Sequence, residues 1–171
     1  ENMAWIRKVS AGVTEELLSL ITGVWTAYAA GATEASLTIN FLNEDEKQLK
    51  QFYTRLLNIC NSEKAIREGV FFDLTYANLA GWVFNEHKQY AFLRKQDDEL
   101  ILIMVNFDSI PARSAVNIPQ HAFDYLGIHR YGEYEATELL TGNTEKLTLM
   151  PDKTTPVLLD GMNGKILKFK L

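Results

Sequence analysis

The pattern of apolar and polar positions changes once along the chain, near Gly69. Before Gly69, apolar residues recur three and four positions apart, a spacing that predicts amphipathic helices. After Gly69, short β-rich runs alternate with turn signals, as is typical of an antiparallel sandwich or barrel. The sequence therefore predicts an α+β chain with two parts. Residues 1–69 are a helical N-terminal segment, and residues 70–171 are a C-terminal all-β sandwich of about eight strands.

A first helix is predicted over residues 14–30. Thr14 can cap it, and Gly31 is a natural stop. Its apolar stripe runs from Leu17 to Tyr28 and includes Trp25. We expect this stripe to pack in the core, and a binding groove or a membrane surface is the alternative.

A second helix is predicted from Asn43 onward. Asn43 and Glu46 have the spacing of a capping box. The pattern ends at residues 61–62, a short turn follows, and Gly69 closes the helical region. The predicted apolar face of this helix comprises Leu49, Phe52, Tyr53, Leu56, Leu57 and Cys60.

The later part of the chain predicts short strands. Apolar and β-branched residues are enriched in runs separated by Gly, Pro, Asn and Asp. The runs cover residues 70–76, 89–95, 99–107, 112–118, 133–140, 146–149, 155–159 and 165–171.

Two of these runs form a predicted hairpin, YAFLRKQDDELILIMVNF at residues 90–107. Its second strand lacks the alternation of a strand with one solvent face. We therefore expect that strand to be central, with both faces covered. In the last run, Leu167 and Phe169 alternate with Lys168 and Lys170, which predicts one face open to water.

Composition and charge narrow the class of protein. The chain has 171 residues, and its hydrophobic fraction of 47% argues against disorder. A net charge of −5 with scattered Lys and Arg gives no footprint for nucleic acid. No apolar run reaches the roughly 18 residues of a membrane span. The first residues do not read as a signal peptide, and a start at Glu1 predicts a processed product or a piece of a longer protein.

Candidate chemistry is sparse. The single cysteine, Cys60, excludes an internal disulfide, and we expect it to be buried. The three histidines, His87, His121 and His129, lack the spacing of a helical metal pair and are expected in surface loops. The acids at 44–46 and 97–99 are expected to be solvated rather than catalytic. The sequence predicts no catalytic residue, no cofactor and no metal site.

Aromatic residues are the remaining candidates for a binding site. Exposed rings form the platforms of carbohydrate-binding surfaces, and Trp82, Tyr131 and Tyr134 are the candidates for such contacts. The alternative is that these rings fill the core and cap its ends.

Five segments, taken in order, carry a family resemblance. They resemble the C-terminal end of an α-amylase-family glycoside hydrolase, over about residues 42–171. The resemblance implies the last helix of a catalytic (β/α)₈ barrel followed by a Greek-key sandwich. The segments are LKQFYTRLLNICNSEKAIREG (49–69), YAFLRKQDDELILIMVNF (90–107), VNIP (116–119), ELLTG (138–142) and GKILKFKL (164–171).

The resemblance does not reach the motifs that hold the family's catalytic carboxylates. At residues 84–87 the sequence FNEH has a histidine but no following aspartate. The resemblance therefore implies a non-catalytic accessory domain that stabilises the barrel of a parent α-glucan hydrolase and helps position its substrate. The alternatives are an autonomous carbohydrate-binding module and, third, a small complete hydrolase with an unrecognised carboxylate pair.

The implied partners follow from the helix at residues 49–60. Its apolar face would lie on the parent barrel. Without that barrel, the stripe at residues 17–28 or a homodimer contact would have to cover it. α-Glucan is the implied ligand, and neither nucleic acid nor a membrane is expected.

Overall fold

The computed structural model describes residues 42–79 and 83–171. The predicted helix at residues 14–30 and the candidate contact Trp82 lie outside these ranges. The chain divides into two compact units, Glu1–Thr54 and Arg55–Leu171. The boundary between residues 69 and 70, drawn from the change in sequence pattern, stays a prediction.

Two consecutive helices precede the strands: α1 spans Glu44–Ser62 and α2 spans Lys64–Glu68. The predicted capping box at the start of α1 is confirmed. The backbone N–H of Glu46 donates to Asn43 Oδ1 at 2.9 Å, and the N–H of Asn43 donates to Glu46 Oε2 at 2.8 Å. Two amides without partners inside the helix are thereby satisfied, which explains why α1 begins here.

The predicted apolar face of α1 is only partly buried. Leu49, Tyr53 and Leu57 are spaced four residues apart and are 56%, 54% and 60% exposed. Ile59, which was not assigned to the face, is the buried residue of α1, and Cys60 is half-buried rather than buried. The apolar surface of α1 is thus wide, and one edge of it lies in the protein while the other faces solvent.

Within the described ranges, the remaining elements include eight strands, as predicted. Six form one sheet in the order β1-β2-β3-β8-β5-β6, and two form a β4-β7 pair, with every pairing antiparallel. β8 returns to lie beside β5, which is a Greek-key connection. The α+β fold class is therefore confirmed. The strands are β1 (Val70–Asp73), β2 (Gln89–Gln96), β3 (Glu99–Asn106), β4 (Ala112–Asn117), β5 (Gly132–Glu138), β6 (Thr144–Leu149), β7 (Thr154–Leu159) and β8 (Asn163–Lys170).

Two short helical elements were not predicted. The run at residues 70–76 ends as a strand at Asp73 and continues into a 3₁₀ helix, Thr75–Asn78. A helix, α3, spans Gln120–Leu126 between β4 and β5. It starts after the extended Pro119 and ends at Gly127, whose φ of 63° is left-handed and therefore favours glycine.

The two faces of β3 contribute side chains to two different hydrophobic clusters. Leu100, Leu102 and Met104 point into the main cluster, which also takes side chains from β4 and β7 of the smaller sheet. Ile101 points to the opposite face and belongs to a second cluster with residues of α1, α2 and β8, namely Ile59, Ala65 and Ile166. The predictions that this strand is central and covered on both sides are confirmed.

The prediction that the outward face of β8 is open to water is wrong for part of its length. Ile166 is only 6% exposed. The Lys168 ammonium forms ion pairs with Glu63, just before α2, and with Glu99 of β3. α2 covers this part of the sheet, so the face is partly buried. Lys170 alone keeps the predicted exposure.

Polar contacts fix α2 on the sheet. Glu99 accepts a hydrogen bond from the Ala65 backbone N–H at 2.8 Å. The Arg94 guanidinium donates to the carbonyl oxygens of Ala65 and Ile66 at 3.2 and 2.6 Å, satisfying groups at the end of the helix. The expectation that Glu99 is a solvated turn residue is therefore wrong, because its side chain is only 17% exposed.

Candidate functional site

Four rings form a cluster at one edge of the larger sheet, which we call the aromatic rim: Phe72, Tyr76, His121 and Tyr125. Phe72 lies at its base, half-buried on β1. The centroid of its ring is 5.2 Å from that of His121, 5.8 Å from that of Tyr125 and 6.2 Å from that of Tyr76. The interplanar angles of 49–59° are those of tilted ring pairs, a favourable arrangement for aromatic quadrupoles.

A hydrogen bond joins two of these rings, between the Tyr76 hydroxyl and His121 Nε2. Burial of the phenol and the nearby Asp73 carboxylate raise the pKa of Tyr76, so the hydroxyl stays protonated at neutral pH and is available as a donor. The rings are held in place yet remain accessible, since Tyr76 is 46% and Tyr125 65% exposed.

Gln120 and Asp124 lie one turn apart on α3, next to the rim residues His121 and Tyr125, and they connect the rim to Tyr131. The Gln120 side-chain amide donates to Asp124 Oδ1 at 2.8 Å and to the Tyr131 hydroxyl at 3.3 Å. The Tyr131 ring stands edge-on to Phe123, with centroids 5.3 Å apart and an interplanar angle of 88°. Tyr131 is 44% exposed, so this candidate contact does present a ring to solvent.

Tyr134 lies in the core instead. It is 7% exposed, its ring packs edge-on against Phe169, and its hydroxyl donates to the Arg130 carbonyl at 2.8 Å. A buried ring whose hydroxyl is already paired has no free face for a ligand. Of the two candidate tyrosines, Tyr131 therefore presents a ring to solvent and Tyr134 does not.

A cleft of about 490 Å³ lies on another part of the sandwich, lined by residues 83–89, 106, 108 and 110–113. Its charges are largely paired. Lys88 Nζ lies 2.6 Å from Asp108 Oδ2, and this hydrogen bond lowers the pKa of the Asp108 carboxyl. Gln89, on the buried side, accepts a hydrogen bond from the Ser114 hydroxyl at 2.9 Å. The cleft is polar, and the charges of Lys88 and Asp108 are occupied with each other.

Glu138 is the most buried carboxylate of the described ranges, at 4% exposure. Burial alone would raise its pKa. Hydrogen bonds from the Thr141 hydroxyl and from the backbone amides of Leu140, Ile166 and Thr141 outweigh burial and lower the pKa of Glu138. A general acid requires the opposite shift, so Glu138 is suited to a structural role.

Of the histidines, His121 lies on α3 and not in the loop expected for it, and the structure places it in the rim. His87 lies in a turn beside Glu86, with 3.9 Å between Nε2 and Oε1. Within residues 42–79 and 83–171, no group of three or more His, Cys, Asp or Glu side chains is arranged to hold a metal ion. None of the described helices is long and apolar enough to cross a membrane.

Comparison with known proteins finds similarity in structure but not in sequence. No protein-family model matches the chain, and no curated protein sequence matches it. Solved structures of α-amylases do share its fold. AmyP in complex with maltose superposes with a TM-score of 0.53 and 19% identity, over 75% of this chain and 22% of AmyP.

Two proteins described as α-amylases give similar values. The noncanonic maltogenic α-amylase AmyB from Thermotoga neapolitana has a TM-score of 0.54 and 12% identity, over 75% of this chain and 26% of AmyB. The α-amylase from Geobacillus thermoleovorans, complexed with acarbose, has a TM-score of 0.53 and 14% identity, over 77% and 24% of the two chains. The chain thus has the fold of a portion of these enzymes and spans about a quarter of their length. The resemblance carried by the sequence motifs is confirmed at the level of the fold.

Proposed function

We propose that this chain is a non-catalytic C-terminal accessory domain of an α-amylase-type glycoside hydrolase whose parent acts on α-glucans. The observation that carries the proposal is the fold shared over about three quarters of this chain and about a quarter of AmyP and of two α-amylases. The order of the sequence motifs supports the C-terminal position, because a helix like the last barrel helix precedes the sandwich.

The proposed structural role is to stabilise the barrel. The α1 residues Leu49, Tyr53 and Leu57 form an exposed stripe on a helix that resembles a barrel helix. Covering a side chain of this size stabilises a protein by about 1.5–3 kcal/mol. Helix α1 would then belong to the barrel, and α2 would hold the sandwich against the end of the barrel.

The described carboxylates support a non-catalytic role. A glycosidase needs two carboxyl groups facing one substrate bond, one of them with a raised pKa. Here Glu138 has a lowered pKa, Glu63 and Glu99 share Lys168, and Asp97 pairs with Lys64 at 2.7 Å. Glu63, Glu99 and Glu138 are thus engaged in contacts within the fold, whereas the pair of Asp97 and Lys64 is exposed at the surface.

Two measurements test the proposal. The reading frame that contains this chain should encode a (β/α)₈ barrel ahead of it, and the chain alone should not turn over a chromogenic α-glucoside. A reading frame without a barrel, or hydrolysis by the isolated chain that survives purification to homogeneity, would overturn the accessory role.

The stabilising role is tested with a charge placed in the stripe. In the complete enzyme, Leu57→Glu should lower the temperature of half-inactivation by several degrees, because it buries a charge at the barrel contact. Gln51→Glu adds the same charge to the polar face of α1 and should have no effect. If both variants behave like the wild type, the stripe does not contact the barrel.

The same pair of variants distinguishes a homodimer. Light scattering of the isolated chain should give the same mass for Leu57→Glu as for the wild type. A wild-type dimer that becomes a monomer in Leu57→Glu, but not in Gln51→Glu, would assign the stripe to self-association instead.

A further inference from the structure

We propose that the aromatic rim, together with Tyr131, is a non-catalytic binding site for a linear α-glucan chain. The ring faces of Tyr76 and Tyr125 would stack on the sugar rings, while His121, Gln120 and Asp124 would bond to sugar hydroxyls. The choice of an α-linked glucan rests on the proposed function, since the parent acts on that class of substrate.

The first argument is the exposure of the rings. Phe72 packs against the main cluster, yet the rings above it stay open, with Tyr125 65% exposed. Exposed aromatic side chains that form a contiguous group mark an interaction surface more often than exposed side chains that are scattered singly.

The second argument is that the surface is already ordered. The hydrogen bond between Tyr76 and His121 and the contacts of both rings with Phe72 fix the rings without a ligand. α3 is in turn anchored by the buried side chains of Phe123 and Leu126. A ligand that stacks here therefore loses little free energy to ordering the protein, and weak individual contacts suffice.

The third argument is the mixture of groups, which fits a sugar better than a protein or an anion. A pyranose presents apolar C–H faces and hydroxyl edges, and the rim offers rings beside an imidazole, an amide and carboxylates. Asp73 and Asp124 flank the rings, and these charges oppose a phosphate or a nucleic acid.

The fourth argument is position. Phe72 lies on the face of β1 turned toward the main cluster, whereas α2 packs with Ile101 and Ile166 on the opposite face of the sheet. A barrel that held the end of α1 and α2 would approach that opposite face. The rim therefore stays open in the proposed accessory domain.

The geometry also predicts an extended ligand. On α3, His121 and Tyr125 belong to the row that touches Phe72, and Gln120 and Asp124 belong to the adjacent row that reaches Tyr131. A chain crossing both rows would contact rings on each side of the helix. A heptasaccharide should therefore bind more tightly than a disaccharide.

In the test, binding of maltoheptaose to the full chain is measured by isothermal titration calorimetry and by changes in amide NMR shifts. Saturable binding with shifts at residues 72–76 and 120–131 is expected, and maltose should bind more weakly. Tyr125→Ala should weaken binding at least about tenfold, the equivalent of losing one good stacking contact. Tyr53→Ala, at a tyrosine of α1 that is 54% exposed, is the control and should bind as the wild type does.

A second variant separates the rim from the fold. Tyr76→Phe keeps the ring but removes the hydroxyl that bonds to His121, and it should weaken binding only a few-fold with an unchanged melting temperature. Equal weakening by Tyr125→Ala and Tyr53→Ala would overturn the site, as would binding that responds to Trp82→Phe but not to Tyr125→Ala.

The remaining outcomes keep the two proposals apart. No binding of maltoheptaose, or equal binding of cellohexaose, would overturn the glucan site. The accessory role would be unaffected, because it is tested separately by the reading frame and by the turnover of a chromogenic α-glucoside. Binding by the isolated chain that disappears in the complete enzyme would make the rim a contact with the barrel, which also overturns the site.

Discussion

Glu138 organises the turn after β5 with a single buried carboxylate. It accepts hydrogen bonds from the amides of Leu140 and Thr141, from the Thr141 hydroxyl, and from the amide of Ile166 on β8. The chain then turns at Gly142, whose φ of 80° disfavours other residues. The segment ELLTG is thus a self-contained turn tied to the neighbouring strand.

Replacing Glu138 with Gln should reduce stability at neutral pH by about 1.5–3 kcal/mol, because hydrogen bonds to a charged acceptor are lost. The folded protein holds the pKa of Glu138 below its ordinary value of 4.5. Its contribution is therefore complete above that pH and is lost as the pH falls through the lower folded-state value. Urea unfolding between pH 7 and pH 3 should show this acid dependence in the wild type and less of it in Glu138→Gln.

Glu135→Gln is the matched control, since Glu135 lies on the same strand and is exposed. It should change neither the stability nor its pH dependence by more than a few tenths of a kcal/mol. If the two variants have the same effect, the four hydrogen bonds to Glu138 do not account for the acid sensitivity.

At the scale of elements, α2 is the piece that joins helix to sheet. It has only five residues, too short to be stable alone, and it is held by Glu99, Arg94 and the Lys168 ion pairs. Gly69 ends it where there is no room for a side chain. A Cβ there would lie 2.3 Å from the Ala65 carbonyl oxygen and 2.7 Å from that of Lys95.

Lys168→Met should lower the free energy of unfolding by about 1–3 kcal/mol, because Glu63 and Glu99 would face each other without their shared cation. The side chains of these acids are 14% and 17% exposed, so water replaces the lysine poorly. Lys170→Met, on the exposed end of the same strand, should be close to neutral. Denaturant midpoints measure both, and an equal loss in the two variants would contradict the role of the ion pairs.

Local patterns predicted these elements well, and long-range contacts escaped prediction. The capping box of Asn43 and Glu46 and the eight strands depend on residues close in sequence. Glu99 looked like a turn acid because its partners, Ala65 and Lys168, lie far away in the chain. α3 was not predicted, although Ala122, Phe123 and Leu126 have helical spacing. A segment of seven residues between β-rich runs is too short for helical periodicity to be distinguished from that of a strand.

The candidate site was harder to predict than the fold. Aromatic content drew attention to Trp82, Tyr131 and Tyr134, but composition does not show which rings meet. Tyr134 is in the core, and the rim brings Phe72 and Tyr76 together with two residues of α3 that lie 45–53 positions away in sequence. Only the tertiary fold brings these rings together.

At the scale of the whole molecule, the order of the six-stranded sheet sets the order of local stability. β3 and β8 are paired on both sides and buried by both clusters, whereas β1 and β6 are at the edges. Native-state hydrogen exchange should therefore be slowest for the amides of β3 and β8 and faster in β1 and β6. Equal protection across the sheet would show that the strands open only together.

The position of β3 between the two clusters has a consequence for how the domain would behave inside a larger enzyme. Because the two clusters meet back to back on this strand, the end of α1 at Ile59 and the sandwich are thermodynamically linked. A partner that holds the helix therefore raises the cost of opening the sandwich, and damage to the sandwich loosens the helix. In an enzyme whose catalytic body contained this helix, the catalytic body and the sandwich would therefore unfold together rather than separately.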